Sequence, residues 1–167
     1  MIVAILSDSH GHADRLARVI AQAINAGAQT LVHCGDVGSA ECIHLLGEAT
    51  LPAYLVAGNM DRFHWRLGDK AYHSAVNYSP KTIEVPLGDG RYLVATHGHH
   101  HAMLESLIGG GQFPYVAHGH THCQRDDRVG EVRVINSGSL HSPRGPNGYS
   151  YALLDTETDS LEFIEVD

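Results

Sequence analysis

The first ninety residues alternate short apolar runs with helical patterns, and this alternation constrains the fold more than any other feature. Ile2–Leu6 is a continuous apolar run of strand length. Residues 14–26 follow, with Leu16, Val19, Ile20, Ala23 and Ile24 at helical spacing and Gly27 as a stop signal. Thr30–His33 and 53–57 are the next strand candidates, separated by a short helix candidate at Ala40–Glu48. Strand, helix, strand, helix, strand implies parallel pairing through right-handed crossovers. The second half differs. Residues 82–87 and 91–96 flank Gly88-Asp89-Gly90, a hairpin signal. Tyr115–His118, 131–136, Tyr149–Asp155 and 161–166 read as further strands, with turn-rich pieces such as 144–148 between them. The expectation is an α/β start and a mostly antiparallel end, arranged as two facing sheets covered by helices. Residues 60–81 are the least regular stretch and are expected to form a loop with a helical turn. No repeat or linker divides the chain, so residues 1–167 are expected to form one domain.

Composition narrows the partners. The formal charge is −8, and Lys70 and Lys81 are the only lysines. No basic run is present, which argues against an extended nucleic-acid surface. Cys34, Cys42 and Cys123 cannot all pair and form no Cys-x-x-Cys, as expected of free thiols in a reducing compartment. The apolar start follows no positive residues and stops at Ser7-Asp8, too short for a signal core or a membrane span. The expectation is a cytoplasmic protein with no membrane partner. The oligomeric state is left open, a homo-oligomer included.

Five short segments, each at the end of a strand candidate, carry metal-ligating residue types. They are Asp8-Ser9-His10, Gly35-Asp36, Gly58-Asn59-Met60-Asp61, Thr96-His97-Gly98-His99 and Gly119-His120-Thr121-His122. Singly they are weak: Asp-x-His is common in loops, and Gly-Asp is a turn signal. Their weight lies in all five falling at strand termini, because α/β sheets bind ligands beyond the carboxyl ends of their strands. The i, i+2 spacing of Asp8 and His10, and of His120 and His122, puts both side chains on one face of an extended backbone. Two carboxylates, an amide and several imidazoles suit Mn, Fe, Ni or Zn better than Ca or an iron–sulfur cluster. Seven ligands are too many for one tetrahedral ion and suit two ions sharing a carboxylate, the device that hydrolyses phosphate esters. Histidine is the compositional outlier at 14 residues, and the run His99-His100-His101 is internal, so it is no tag. His100, His101 and His118 are expected at the surface or rim of the site, and Cys34 as a small buried hydrophobe.

The five motifs in this order resemble the calcineurin-like metallophosphoesterases. They are more narrowly similar to the small single-domain prokaryotic phosphodiesterase branch with Vps29-like relatives. Ile135-Asn136-Ser137-Gly138-Ser139, followed by Pro143-Arg144, is similar to that branch's Asn-Pro-Gly-Ser signature. The resemblance runs from residue 2 to the C-terminus. It implies a four-layer α/β/β/α sandwich of two mixed β-sheets flanked by helices, with a dinuclear centre. Carried over by position, one metal takes Asp8, His10, Asp36 and His122, and the other takes Asp36, Asn59, His97 and His120, with Asp36 as the bridge. Asp61 is the expected hydrogen-bond partner behind a ligand histidine. Met60 stands where much of the superfamily has a histidine taken to be the general acid; either nothing replaces that acid, which is the favoured outcome, or His99 serves as the donor. The segment between His97 and His120 is short, and a helix of about two turns is expected there.

The implied function is a dinuclear-metal-dependent phosphoesterase, a phosphodiesterase or phosphatase, hydrolysing a small phosphate ester by attack of a metal-bridging hydroxide. Manganese is the first expectation for the two divalent ions, with nickel, iron or zinc as alternatives. A non-catalytic Vps29-like protein-interaction scaffold is the alternative, and metal storage through the histidine-rich segments is a third. Scaffolds of that kind should have substituted ligands, whereas all seven positions here hold competent ones.

Overall fold

The computed structural model of the chain describes residues 1–61 and 67–167. Among the described residues, eleven strands and four helices form two sheets with helices on both outer faces. In chain order they are β1 (Ile2–Leu6), α1 (Ala13–Asn25), β2 (Thr30–His33), α2 (Ala40–Glu48), β3 (Ala53–Val56), α3 (Leu67–His73), β4 (Asn77–Ser79), β5 (Thr82–Pro86) and β6 (Tyr92–Thr96). Then come α4 (His101–Gly110), β7 (Tyr115–His118), β8 (Gln124–Val129), β9 (Val132–Ser137), β10 (Tyr149–Asp155) and β11 (Ser160–Val166). The first sheet has the order β11-β10-β1-β2-β3-β4, and the second β5-β6-β7-β9-β8.

Alternation along each strand sorts the chain into layers. Val3 and Ile5 of β1 face the second sheet and pack with Leu93, Ala95, Ala117 and Ile135. Ala4 and Leu6 face the other way, against Leu16, Val19 and Ala23 of α1 and Ile43 and Leu46 of α2. Burial on both faces explains why β1 is a continuous apolar run rather than an alternating one. Leu104 and Ile108 of α4 cover the outer face of the second sheet at Val94, Val116 and Val134. Each fully buried Leu, Ile or Val contributes roughly 1.5–3 kcal/mol. Ser39 caps α2 by accepting from the Cys42 N–H at 3.1 Å. Gly111, with φ 62°, ends α4 in the left-handed conformation.

The structure departs from expectation in the second half. β6–β7 and β7–β9 are parallel, so the second sheet is mixed, as the resemblance implies, and not mostly antiparallel as the strand pattern alone suggested. The reason is α4, which carries the chain back across the sheet and forces β7 to run with β6. It has ten residues, nearer three turns than two. β10 and β11 leave the second sheet altogether and extend the first beside β1. β8 and β4 had no expected counterpart. The helical turn expected within 60–81 is α3, and residues 62–66 of that stretch lie outside the described residues.

Candidate metal centre

Five parallel-running strands of the two sheets end at one edge of the sandwich. Asp8 and His10 follow β1, Asp36 follows β2, Asn59 follows β3, His97 follows β6, and His120 and His122 follow β7. Backbone bonds lace these loops together: Asp8 N–H to the Gly35 carbonyl (3.0 Å), His10 N–H to the Asp36 carbonyl (2.9 Å) and Gly119 N–H to the His97 carbonyl (3.1 Å). Seven non-glycine residues among those described have positive φ, and five of them are Asp8, His10, Asp36, His120 and His122, between 45° and 68°. Such backbone costs about 1–3 kcal/mol per residue and persists where its surroundings over-determine it. Two glycines allow the loops to close this far. A Cβ on Gly119 would lie 1.8 Å from Ser7 Oγ, and one on Gly58 would lie 2.0 Å from Asp36 Oδ1.

The side chains bring acceptors together rather than donor–acceptor pairs. His97 Nδ1 lies 2.7 Å from the Cys34 carbonyl, which can only accept, so Nδ1 carries the hydrogen. Its Nε2 therefore presents a lone pair in the neutral ring, yet it faces Asn59 Oδ1 at 3.0 Å and Asp36 Oδ2 at 3.4 Å. His122 repeats the arrangement: Nδ1 donates to the Ser142 carbonyl at 2.7 Å, and Nε2 lies 3.1 Å from Asp8 Oδ1. His10 Nε2 lies 3.7 Å from Asp36 Oδ2 and 3.9 Å from Asp8 Oδ1. Both His10 Nε2 and Asp8 Oδ1 are buried without a partner of hydrogen-bond geometry. Convergent, unpaired acceptors in a buried site call for protons or cations between them. Ligand atoms of Asp8, His10 and His122 fall within 4.8 Å of one another, as do those of Asp8, Asp36 and His97. Asp8 is common to both groups, and Asp36 Oδ2 lies between His10 and His97, so each carboxylate reaches both halves. His120 stands beside His97 with ring centres 5.1 Å apart, and its backbone N–H donates to Asp8 Oδ2 at 3.1 Å.

The electrostatics follow. Burial alone would raise the pKa of both carboxylates. For Asp8, contact with His122 and the charge of His97 outweigh it; for Asp36, His97 does; both end below the usual carboxylate range. Burial depresses His97, but the Asp36 contact and the two carboxylate charges lift it above its ordinary value. The His122 pKa is raised, chiefly by Asp8. His120 is lowered by burial, then by the charge of His97. His99 is pushed down to about 4, first by burial and then by His100, His97 and His120. Its ring centre is 5.3 Å from that of His97 and 6.1 Å from that of His120.

Two expectations change. Asp61 is buried, but its bonds go to the backbone N–H groups of Val37 (3.2 Å), Gly38 (3.1 Å) and Gly58 (2.9 Å) rather than to a histidine. It ties the Asp36 loop to the Asn59 loop, and the histidines are oriented by carbonyls instead. His118 is buried, not at the surface, with Nδ1 3.1 Å from the Gly119 carbonyl. Met60 contributes its backbone: its N–H donates to Asp36 Oδ1 at 2.8 Å, while the side chain is exposed. Sequence reasoning also missed His33, Asn136 and Ser139. His33 is fully buried, with Nε2 2.9 Å from Ser9 Oγ. Asn136 donates to the Gly119 carbonyl (2.8 Å) and Thr121 Oγ1 (3.0 Å), holding the His120–His122 turn. Ser139 donates to the Asp8 carbonyl at 3.2 Å and accepts from the N–H groups of His141 and Ser142. The signature around Asn136 was the available signal for the last two; His33 carried none.

Known proteins resemble this chain in sequence and in fold. The family model for the calcineurin-like phosphoesterase superfamily domain matches residues 1–159. A phosphodiesterase of Methanocaldococcus jannaschii is 30% identical over 139 residues, covering 83% of each chain. A probable metallophosphoesterase of Bacillus subtilis is 30% identical over 166 residues, covering 96% of this chain and 87% of that one. Among solved structures, an archaeal phosphodiesterase superposes with a TM-score of 0.87 at 28% identity, covering both chains fully. Vps29 of Entamoeba histolytica shares the fold at 19% identity, with a TM-score of 0.66 over the full length of both chains. The chain belongs to the calcineurin-like phosphoesterase superfamily.

Proposed function

We propose that the chain is a phosphoesterase of small phosphate esters that works with two divalent cations. The observation that carries this reading is the pair of imidazoles, His97 and His122, whose Nδ1–H groups are fixed on backbone carbonyls while Nε2 faces carboxylate or amide oxygens. Asp8, His10, Asp36 and His122 would hold one ion, and Asp36, Asn59, His97 and His120 the other. Such ions supply Lewis-acid charge to the phosphoryl oxygens and lower the pKa of the attacking water. Manganese heads the candidates, with nickel, iron and zinc behind it.

The chain's own part is positioning and charge. Asp8 and Asp36 offset two of four positive charges and leave the centre electropositive inside an acidic protein, so a phosphate ester enters without a lysine patch. The carbonyls of Cys34 and Ser142 fix the tautomer and aim of two ligand rings. Met60 cannot donate a proton, and His99, held near 4, is mostly neutral at neutral pH. His99 is the candidate donor, and its low pKa favours a reaction in which the leaving group departs with little help. A Vps29-like scaffold rests on likeness of fold, and the complete set of ligand types favours the enzyme.

The test is metal-free protein reconstituted with Mn, Ni, Fe or Zn and screened on phosphomonoesters, phosphodiesters and nucleotides. Metal-dependent hydrolysis that is lost in Asp36→Asn supports the reading. Absence of hydrolysis with every metal contradicts it.

A further inference from the structure

Four of the 14 histidines, His10, His97, His120 and His122, fall in the ligand set. Four more line the rim beside them, two on each side. On one side the ring centre of His141 is 5.1 Å from that of His10, and His12 is 4.6 Å beyond His141. On the other, His99 is 5.3 Å from His97, and His100 is 3.9 Å beyond His99. The two inner contacts, His10–His141 and His97–His99, match the spacing of the ligand-type rings among themselves: 5.5 Å for His10–His122 and 5.1 Å for His97–His120. Two imidazoles that bind one cation through bonds of 2.0–2.1 Å have ring centres roughly 5 Å apart. His141 and His99 thus stand about one shared-ion step from a ligand ring, with His12 and His100 one ring farther out.

The rim rings are also placed to exchange. His12, His100 and His141 are exposed, and His99 has a buried Nδ1 without a partner. Among the described residues, neither rim pair joins a third His, Cys, Asp or Glu in a three-ligand group. A two-imidazole position completed by water binds weakly and lets go readily, whereas the centre itself gathers more ligands. Imidazole nitrogen favours zinc, nickel, iron and related ions over magnesium or calcium.

We propose that His12 with His141, and His99 with His100, are transient ligands through which divalent transition ions enter and leave the centre, one imidazole exchanged at a time. This inference rests on the reading of the centre as a metal site. An entry ligand lowers the barrier for both directions, so it speeds uptake and release together and leaves the equilibrium affinity alone. A structural residue or a true ligand would change the affinity instead.

The test mixes the metal-free full chain with Co(II) in a stopped-flow absorbance experiment and strips the loaded protein with excess chelator. Wild type is compared with the double variants His12→Asn/His141→Asn and His99→Asn/His100→Asn. Each double variant is expected to slow uptake and release by the same factor, about threefold or more, with the Co(II) dissociation constant within about twofold of wild type. Rates within twofold of wild type overturn the proposal. Slowed uptake with lost affinity also overturns it, by making the rim residues ligands or structural supports. A wild type that takes up no Co(II) overturns both this inference and the metal reading beneath it.

Discussion

Replacing Gly119 by alanine tests the close approach on which the centre depends. The added Cβ would lie 1.8 Å from Ser7 Oγ, 2.6 Å from Asp8 Oδ2 and 2.9 Å from Ser7 Cβ. Ser7 and Asp8 are fully buried, and Ser7 Oγ is only two bonds from Cα, so neither can swing aside into solvent. One relief is rotation of Ser7, which breaks its 2.5 Å hydrogen bond to the Asp8 carboxylate, a charge-assisted bond that contributes about 1.5–3 kcal/mol. The other is a backward shift of the Gly119–His120 backbone, an overpacking strain of about 1–3 kcal/mol that also moves the His120 N–H off Asp8. Gly119→Ala should therefore destabilise the metal-free protein by about 1.5–3 kcal/mol, the cost of the cheaper relief, and weaken metal binding at Asp8. Gly109 in α4 is the control, because nothing lies within 4 Å of its added Cβ. Gly109→Ala should gain up to about 1 kcal/mol, the difference in helix propensity. Urea unfolding of the three metal-free proteins, followed by calorimetric metal titration, reads both effects. A Gly119→Ala protein within about 0.5 kcal/mol of wild type and with unaltered metal binding would refute the packing of these loops.

Further outcomes follow from the same geometry. Asp36→Asn should cost several kcal/mol of transition-state stabilisation at saturating metal, measured as kcat/KM, whereas His118→Asn should act mainly on stability; equal losses of kcat/KM would undo the ligand assignment. His33 is held neutral in the fold, its pKa driven by burial down to about 4 from 6.5. The unfolded chain therefore binds the extra proton between those values, so the His33 contribution is complete above pH 6.5 and is lost as pH falls through about 4, up to about 3 kcal/mol. Unfolding of metal-free wild type and His33→Gln across pH 4–7 isolates it, and identical slopes would count against a neutral buried His33. A series of aryl and alkyl phosphate esters should show rates that fall steeply as the leaving-group pKa rises, because Met60 cannot donate a proton and His99 is a weak candidate. A shallow series that steepens in His99→Ala would make His99 the donor, and one unchanged by that variant would point to another acid.

The layers and the site differ in how openly the sequence displays them. β1, β2 and β7 are buried on both faces; β1 stands out as an unbroken apolar run, β2 and β7 as short apolar stretches ending in His33 and His118, and α1 shows its apolar stripe at helical spacing. β8 is invisible to the same reasoning. Its sequence Gln-Arg-Asp-Asp-Arg-Val is an edge strand whose charges are exposed and pair sideways, Arg125 with Asp127 and Arg128 with Asp159. The direction of β7 depended on recognising α4 as a crossover, and the short, glycine-ended segment concealed its length. The seven ligand-type residues were legible because each follows a strand. The left-handed backbone that aims Asp8, His10, Asp36, His120 and His122 was not, since residue type tolerates that conformation without announcing it. Asp61 was misjudged for a related reason: a buried carboxylate beside histidines satisfies three loop N–H groups equally well, and only coordinates separate the two roles.

The account stands on two ions sharing Asp36. The most direct measurement is anomalous diffraction from crystals of the protein reconstituted with saturating manganese. The account predicts two peaks in one crevice, one contacting Asp8, His10, Asp36 and His122 and the other contacting Asp36, Asn59, His97 and His120. A single fully occupied ion that does not touch Asp36 would contradict it.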